Sequence, residues 1–271
     1  MKISCCIFDM DGTLLTSENK ISETDKKTLL ELNREGVVIA LATGRSHFQV
    51  LEYIDQLGIS SPIITCNGAK ISNPLTGEVI SNRLLPPEDA KRLIDYAKRT
   101  NKEYLMYTDD YLYFAENGNR YNFYMNYNNN APKKYKLPIR LVSEYPENSP
   151  CDNISKILYY DHSESTENLE KIFNEHNTLT ITSSFTAAYE IMRAGTSKGI
   201  GVETLAKHLN IPMNEVVVFG DNENDRSMFE TSAFSVAMGN GTDNIKAIAD
   251  FVTKTNDECG ITYALEQLMK Q

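Results

Sequence analysis

"CCIFDMDGTLLT", residues 5–16, sets an apolar run against two carboxylates and a glycine. The run from Ile3 to Phe8 has the length of a strand and too little polar alternation for one with a solvated face. It therefore reads as a strand buried in a sheet. It ends at Asp9 and Asp11, and residues two apart on a strand point the same way. Two like charges held close do not both ionise without compensation. Positive charge is expected beside them.

Outward from this stretch, apolar runs alternate with helical patterns. "SETDKKTLLELNREG" (residues 22–36) carries Ser22 and Asp25 as an N-terminal capping box and Gly36 as a stop. "VVIALA" (37–42) is a second strand, a helical pattern covers about 46–57, and "PIITC" (62–66) is a third apolar run. The alternation resumes with "EVVVF" (215–219), "FSVAM" (234–238) and "DFVT" (250–253). Such a series predicts a doubly wound parallel sheet in an α/β core, with helices on both faces.

The middle has another composition. Twelve of the fifteen tyrosines lie between Tyr104 and Tyr189. "YLMYTDDYLYFA" (104–115) reads as a hairpin turning at Asp109-Asp110, and "LTITSS" and "AYEIMRA" as a strand pair. Residues 83–190 are expected to form a separate α+β domain inserted into the core, leaving 1–82 and 191–271 as that core.

The chain has 271 residues and a formal net charge of −10. That balance argues against a nucleic acid polymer or an acidic membrane surface as partner. It leaves room for an anionic small molecule at a local positive site. Five cysteines without framework spacing suit a reducing, cytoplasmic setting. No apolar run has the length of a membrane span, and nothing near Met1 resembles a signal peptide.

In open parallel sheets, ligands bind beyond the carboxyl ends of the strands. The first strand leads into Asp9-Met10-Asp11-Gly12-Thr13 and the second into Thr43-Gly44-Arg45. Ser197-Lys198-Gly199 follows the tyrosine-rich region, and Gly220-Asp221-Asn222-Glu223-Asn224-Asp225 follows "VVVF". Asp9, Asp11 and Asp221 can share a hard divalent cation. Oxygen donors without His or Cys suit Mg²⁺. Lys198 adds positive charge, and Thr43 with nearby amides can bind an anion, so the set describes a phosphoryl site.

"DMDGT", "ATGR", "SKG" and "GDNEND" together resemble the haloacid dehalogenase superfamily, closely its Cof-type phosphatases. Asn67-Gly68-Ala69 and the closing pattern at 236–253, from "VAMGN" to "ADFVT", share in the likeness. The resemblance implies a phosphatase for small phosphorylated metabolites, with a Rossmann-like core and a large α/β cap domain, residues 83–190, inserted between the second and third motifs and choosing the substrate. Asp9 is implied as the nucleophile that becomes an aspartyl-phosphate, and Asp11 as the acid and then the base. Mg²⁺ is implied on the Asp9 carboxylate, the Asp11 carbonyl and Asp221. Phosphate oxygens are assigned to Thr43, the Gly44 and Met10 amides, Lys198 and Asn224. Asp225 is expected to orient Lys198 or the metal's waters.

A sugar phosphomutase of the same superfamily, or a phosphometabolite sensor without catalysis, would carry similar motifs. Phosphate release without an acceptor sugar separates the hydrolase from both. The EF-hand reading of "DNENDR" fails because Arg226 stands where that loop needs glycine. Arg45 is expected either to reach substrate or to form a structural salt bridge.

Overall fold

The computed structural model describes residues 2–116, 118–185, 187–232 and 234–270, and the side chains of Ser184 and Phe185 also lie outside the description. The chain divides into two compact units. One is Met1–Ser81 with Ser197–Gln271, the other Asn82–Thr196.

The first unit begins with β1 (Cys5–Phe8), α1 (Glu23–Arg34), β2 (Val38–Leu41), α2 (Leu51–Leu57), β3 (Ile63–Thr65), β4 (Lys70–Ser72) and β5 (Val79–Asn82). The second holds α3 (Pro87–Thr100), β6 (Glu103–Thr108), β7 (Leu112–Phe114), α4 (Arg120–Asn130), β8 (Ile139–Leu141), β9 (Ile154–Tyr160), α5 (Thr166–Phe173), β10 (Leu179–Phe185) and β11 (Ala188–Arg193). The chain returns to the first unit with α6 (Lys198–His208), β12 (Val216–Gly220), α7 (Arg226–Thr231), β13 (Phe234–Ala237), α8 (Asp243–Ile248), β14 (Phe251–Val252) and α9 (Gly260–Leu268).

Five parallel strands form the main sheet, in the order β14-β13-β12-β1-β2. All four residues of β1 are buried, and they alternate between two cores. Cys6 and Phe8 pack with Leu29 and Leu32 of α1 and Ile261 and Leu265 of α9. Cys5 and Ile7 pack with Val202, Leu205 and Ala206 of α6. Burial of side chains the size of Ile7 and Phe8 contributes about 1.5–3 kcal/mol each. Two apolar faces explain why this strand shows no polar alternation. The cysteines are free, and four of the five are buried as small apolar residues.

Ser22 caps α1, its hydroxyl accepting from the Asp25 amide at 3.0 Å, and Gly36 follows the helix at φ +93°. The "PIITC" run departs from expectation. β3 touches the main sheet only through a parallel bridge between Ala42 and Ile64 and otherwise pairs antiparallel with β4. β3, β4 and β5 make a separate three-stranded sheet. The strands that recruit it, "KIS" and "VISN", are too polar to read as sheet members.

In the second unit a six-stranded sheet runs β10-β11-β9-β6-β7-β8, antiparallel except between β7 and β8. Asp109 and Asp110 do turn β6 into β7, closed by the Thr108 amide donating to the Tyr111 carbonyl at 3.1 Å. One face packs Tyr104, Ile157, Tyr159 and Ile191 with Leu93, Ala97, Leu169 and Phe173 of α3 and α5. Lys156, from the same sheet, is buried against Glu190 at 2.5 Å and lies 4.2 Å from the Tyr107 ring centroid. The second junction falls at Thr196/Ser197 because Arg83 ties the exit to the entry. Its guanidinium donates to the Ala194 carbonyl at 2.8 Å and to Thr196 Oγ1 at 3.3 Å. Among the described residues no helix is long and apolar enough to cross a membrane.

Candidate active site

β1, β2 and β12 end at one edge of the main sheet, so parallel register carries their following loops to one place. Phe8 pairs with both Phe219 and Leu41. The residue after Phe8 is Asp9, two after Leu41 is Thr43, and two after Phe219 is Asp221. Lys198 enters from the first turn of α6, which Ser197 caps through the Ile200 amide at 3.2 Å.

Lys198 is wholly buried, and its Nζ lies 2.5 Å from Asp9 Oδ1 and 2.6 Å from Asp225 Oδ1. The other Asp225 oxygen accepts from the amides of Asp221 and Asn222 at 2.9 and 3.0 Å. Asp225 thus holds both the lysine and the loop bearing Asp221. Thr13 donates its hydroxyl to Asp221 Oδ1 at 3.0 Å. Gly12, at φ +85°, leaves the room Asp221 needs, since a Cβ there would lie 2.5 Å from Asp221 Oδ2. Asn240 donates its side-chain amide to the Gly12 carbonyl at 2.7 Å.

The three carboxylates of Asp9, Asp221 and Asp225 offer oxygens that all lie within 4.8 Å of one another. With all three ionised, as a bound cation would hold them, and set against the Lys198 ammonium, they leave two negative charges over. Burial opposes Lys198's charge, but the Asp225 and Asp9 carboxylates outweigh it and hold the ammonium above the ordinary lysine range. Burial raises Asp9 well above the usual carboxylate range, against the pull of Lys198, and the Asp225, Asp221 and Asp11 charges raise it further. Burial, then the Asp225 charge, pushes Asp221 up to about 6. Hard oxygen donors carrying two surplus charges fit a divalent cation such as Mg²⁺.

The raised Asp221 value has a sign that can be measured. Between its unfolded value near 3.8 and about 6 the folded state binds the extra proton, so the contribution to stability falls as pH rises through that window and stays low above it. In EDTA, Asp221→Asn should therefore be more stable than wild type at pH 7.5, by on the order of 2–3 kcal/mol, with the gap nearly closed at pH 4. Urea denaturation at both pH values checks this. A variant less stable than wild type at pH 7.5 would show that Asp221 is satisfied without a cation.

Asp11 does not join the acidic cluster through its side chain. Arg45 grips it by both oxygens, Nε to Oδ2 at 2.9 Å and Nη2 to Oδ1 at 2.5 Å. Of the two roles foreseen for Arg45, the salt bridge is the one formed. Met10 is buried, and its carbonyl accepts from the Thr13 and Leu15 amides at 3.3 and 2.8 Å, closing the tight loop after β1. Thr43 is buried, its amide donating to the Ile64 carbonyl and its hydroxyl accepting from the Arg45 amide at 3.2 Å, with Gly44 between. Asn224 donates its side-chain amide to Asn67 Oδ1 at 3.3 Å. Sequence reasoning missed the supporting contacts of Thr13, Asn240 and Asn67. The signals for the last two, "VAMGN" and "NGA", were visible only as likeness.

A family model described as haloacid dehalogenase-like hydrolase matches residues 6–265. The chain is 30% identical to phosphatase YwpJ of Bacillus subtilis (strain 168), over 97% of this chain and 98% of that protein. It is 31% identical to the 5-amino-6-(5-phospho-D-ribitylamino)uracil phosphatase YwtE of the same organism, over 98% of each. The solved structure of a haloacid dehalogenase-like hydrolase from B. subtilis superposes with a TM-score of 0.84 at 29% identity, covering 98% of this chain and 100% of that one.

Proposed function

The chain belongs to the haloacid dehalogenase-like hydrolases and is a phosphatase, and on that premise we propose that it hydrolyses small phosphomonoesters through an aspartyl-phosphate on Asp9, with Mg²⁺ as cofactor. The observation that carries this reading is the buried Asp9–Lys198–Asp225 chain with Asp221 beside it, two charges short of balance.

Asp9, the Asp11 carbonyl and Asp221 would hold Mg²⁺, which when bound offsets charge on the phosphoryl oxygens. Asp9 attacks phosphorus, an Asp9 oxygen–phosphorus bond forms, and the bond to the leaving oxygen breaks. Asp11 gives that oxygen its proton. Asp11 then takes a proton from water, whose oxygen attacks phosphorus and frees Asp9 and inorganic phosphate. Dividing one slow displacement into two easier ones is the gain from a covalent route. Lys198, Thr43, Asn224 and the Met10 and Gly44 amides hold the transferring phosphoryl group, and Asp225 keeps Lys198 in place. Arg45 grips both Asp11 oxygens, so Asp11 must turn out of that ion pair before it can carry the proton it gives. Choice of leaving group is assigned to the unit Asn82–Thr196. The relatives named for a phosphoribitylamino-uracil make sugar-phosphate esters the first substrates to try.

Hydrolysis of p-nitrophenyl phosphate tests the reading. Activity is expected in Mg²⁺, lost in EDTA and restored by Mg²⁺. Asp221→Ala should need at least about 100-fold more Mg²⁺, since even outer partners of a metal are worth 10- to 100-fold in affinity. Near-wild-type activity in Asp221→Ala at low Mg²⁺ would remove Asp221 from the metal site.

A further inference from the structure

We propose that Asn67 is a positioning residue that fixes which face of the Asn224 side-chain amide is turned to the substrate phosphate. The inference rests on the phosphatase reading above. Cys66, Asn67 and Gly68 follow one another in the left-handed region, at φ +50°, +53° and +96°. Two of the three carry side chains, and Cys66 and Asn67 are buried. Such a run persists only where its surroundings over-determine it, and it clusters at functional sites.

The surroundings here are the site loops themselves. The Cys66 amide donates to the Arg45 carbonyl and the Asn67 amide to the Thr43 carbonyl, both at 2.9 Å. Gly68 presses on the loop that precedes Lys198, where a Cβ would lie 2.1 Å from the Ser197 carbonyl oxygen. Asn67 Oδ1 takes the Asn224 amide. One three-residue segment therefore touches the loops that bring Thr43, Lys198 and Asn224 to the anion.

A primary amide has two N–H donors and one acceptor oxygen in a fixed plane. With one N–H of Asn224 committed to Asn67, its remaining N–H is held in a set direction. Without that acceptor the amide can flip and turn its carbonyl oxygen toward a phosphate, replacing attraction by repulsion. The hydrogen bond acts on bound phosphate before and during transfer alike, so its loss should weaken binding more than chemistry.

Two variants separate the side chain from the strained backbone. Asn67→Gly keeps the left-handed conformation at lower cost and loses the amide, and Asn67→Ala loses both. Both are expected to raise KM for p-nitrophenyl phosphate, and the inhibition constant of inorganic phosphate, on the order of tenfold, with kcat within about threefold. Thermal melting should show Asn67→Gly losing less stability than Asn67→Ala, since glycine accepts the left-handed conformation that strains alanine. Unchanged KM and phosphate inhibition in Asn67→Gly would overturn the proposal, as would a collapse of kcat at constant KM. Calorimetric binding of inorganic phosphate in Mg²⁺ gives a readout that needs no turnover. A wild type that binds phosphate but hydrolyses nothing would sink the phosphatase reading while Asn67 is still judged by its Kd. A wild type that binds no phosphate overturns both.

Discussion

Asp9→Asn should lower kcat for p-nitrophenyl phosphate by at least about 10⁴-fold without destabilising the protein. The two halves of that expectation come from different properties of the same residue. An amide has the shape of the carboxylate but is a poor nucleophile toward phosphorus, so the covalent step is lost while the loop geometry stays. That geometry is held by the backbone, through the Asp9 amide on the Phe219 carbonyl at 3.0 Å and the Leu14 amide on the Asp9 carbonyl at 3.2 Å. In the metal-free protein the Asp9 carboxylate is disfavoured by burial and by three neighbouring carboxylates, and favoured by Lys198. Removing its charge relieves that crowding. The melting temperature in EDTA should therefore be equal to wild type or higher. Phosphate-release assays and melting curves on the same preparations decide the matter. Residual activity above about 1% of wild type would rule out Asp9 as the nucleophile.

Lys198→Met should behave in the opposite way and destabilise the fold by about 3–5 kcal/mol, because removing one partner of a buried ion pair strands the other. Here two partners are stranded, and Asp225 is fully buried. Methionine preserves most of the volume, so the loss reports charge rather than a cavity. Adding Asp225→Asn should return part of it, since the asparagine oxygen can still accept from the Asp221 and Asn222 amides. Urea denaturation in EDTA at pH 7.5 measures both effects. If Lys198→Met is as stable as wild type, the cluster does not depend on the lysine for its charge balance.

Much of the sheet was readable because its strands are buried on both faces. Val216–Gly220 and Cys5–Phe8 have no solvated side to interrupt the apolar run, and their length set them apart from helices. Ile63–Thr65 looks the same in composition, yet it pairs with Lys70–Ser72, whose other neighbour is Val79–Asn82. Direction of pairing is a property of the partner strand, and these partners are too polar to announce themselves. Asp9, Asp11 and Asp221 were readable because charges at strand ends demand compensation, and Lys198 because "SKG" follows the tyrosine-rich insert. Thr13, Asn67 and Asn240 were not, since a hydroxyl or amide is at home in any loop. Only the fold reveals that their targets are Asp221, Asn224 and the Gly12 carbonyl. Arg45 lay between the two cases, with its charge evident and its partner Asp11 undetermined until the loops were placed.

β1 is an interior strand of a parallel sheet whose central strand, β12, is made very late: 208 residues separate Thr13 from the Asp221 it supports. During synthesis β2 can cover one edge of β1 early, while the other edge waits through the whole of the second unit. Until Val216–Gly220 emerges, the growing chain carries an apolar strand with an open side, the kind of surface that invites pairing with another chain. It also carries Asp9 without Lys198, Asp221 or Asp225 for most of that time. Chemistry and completion are thereby linked, and a chain that stops short of β12 holds an aspartate but no active site.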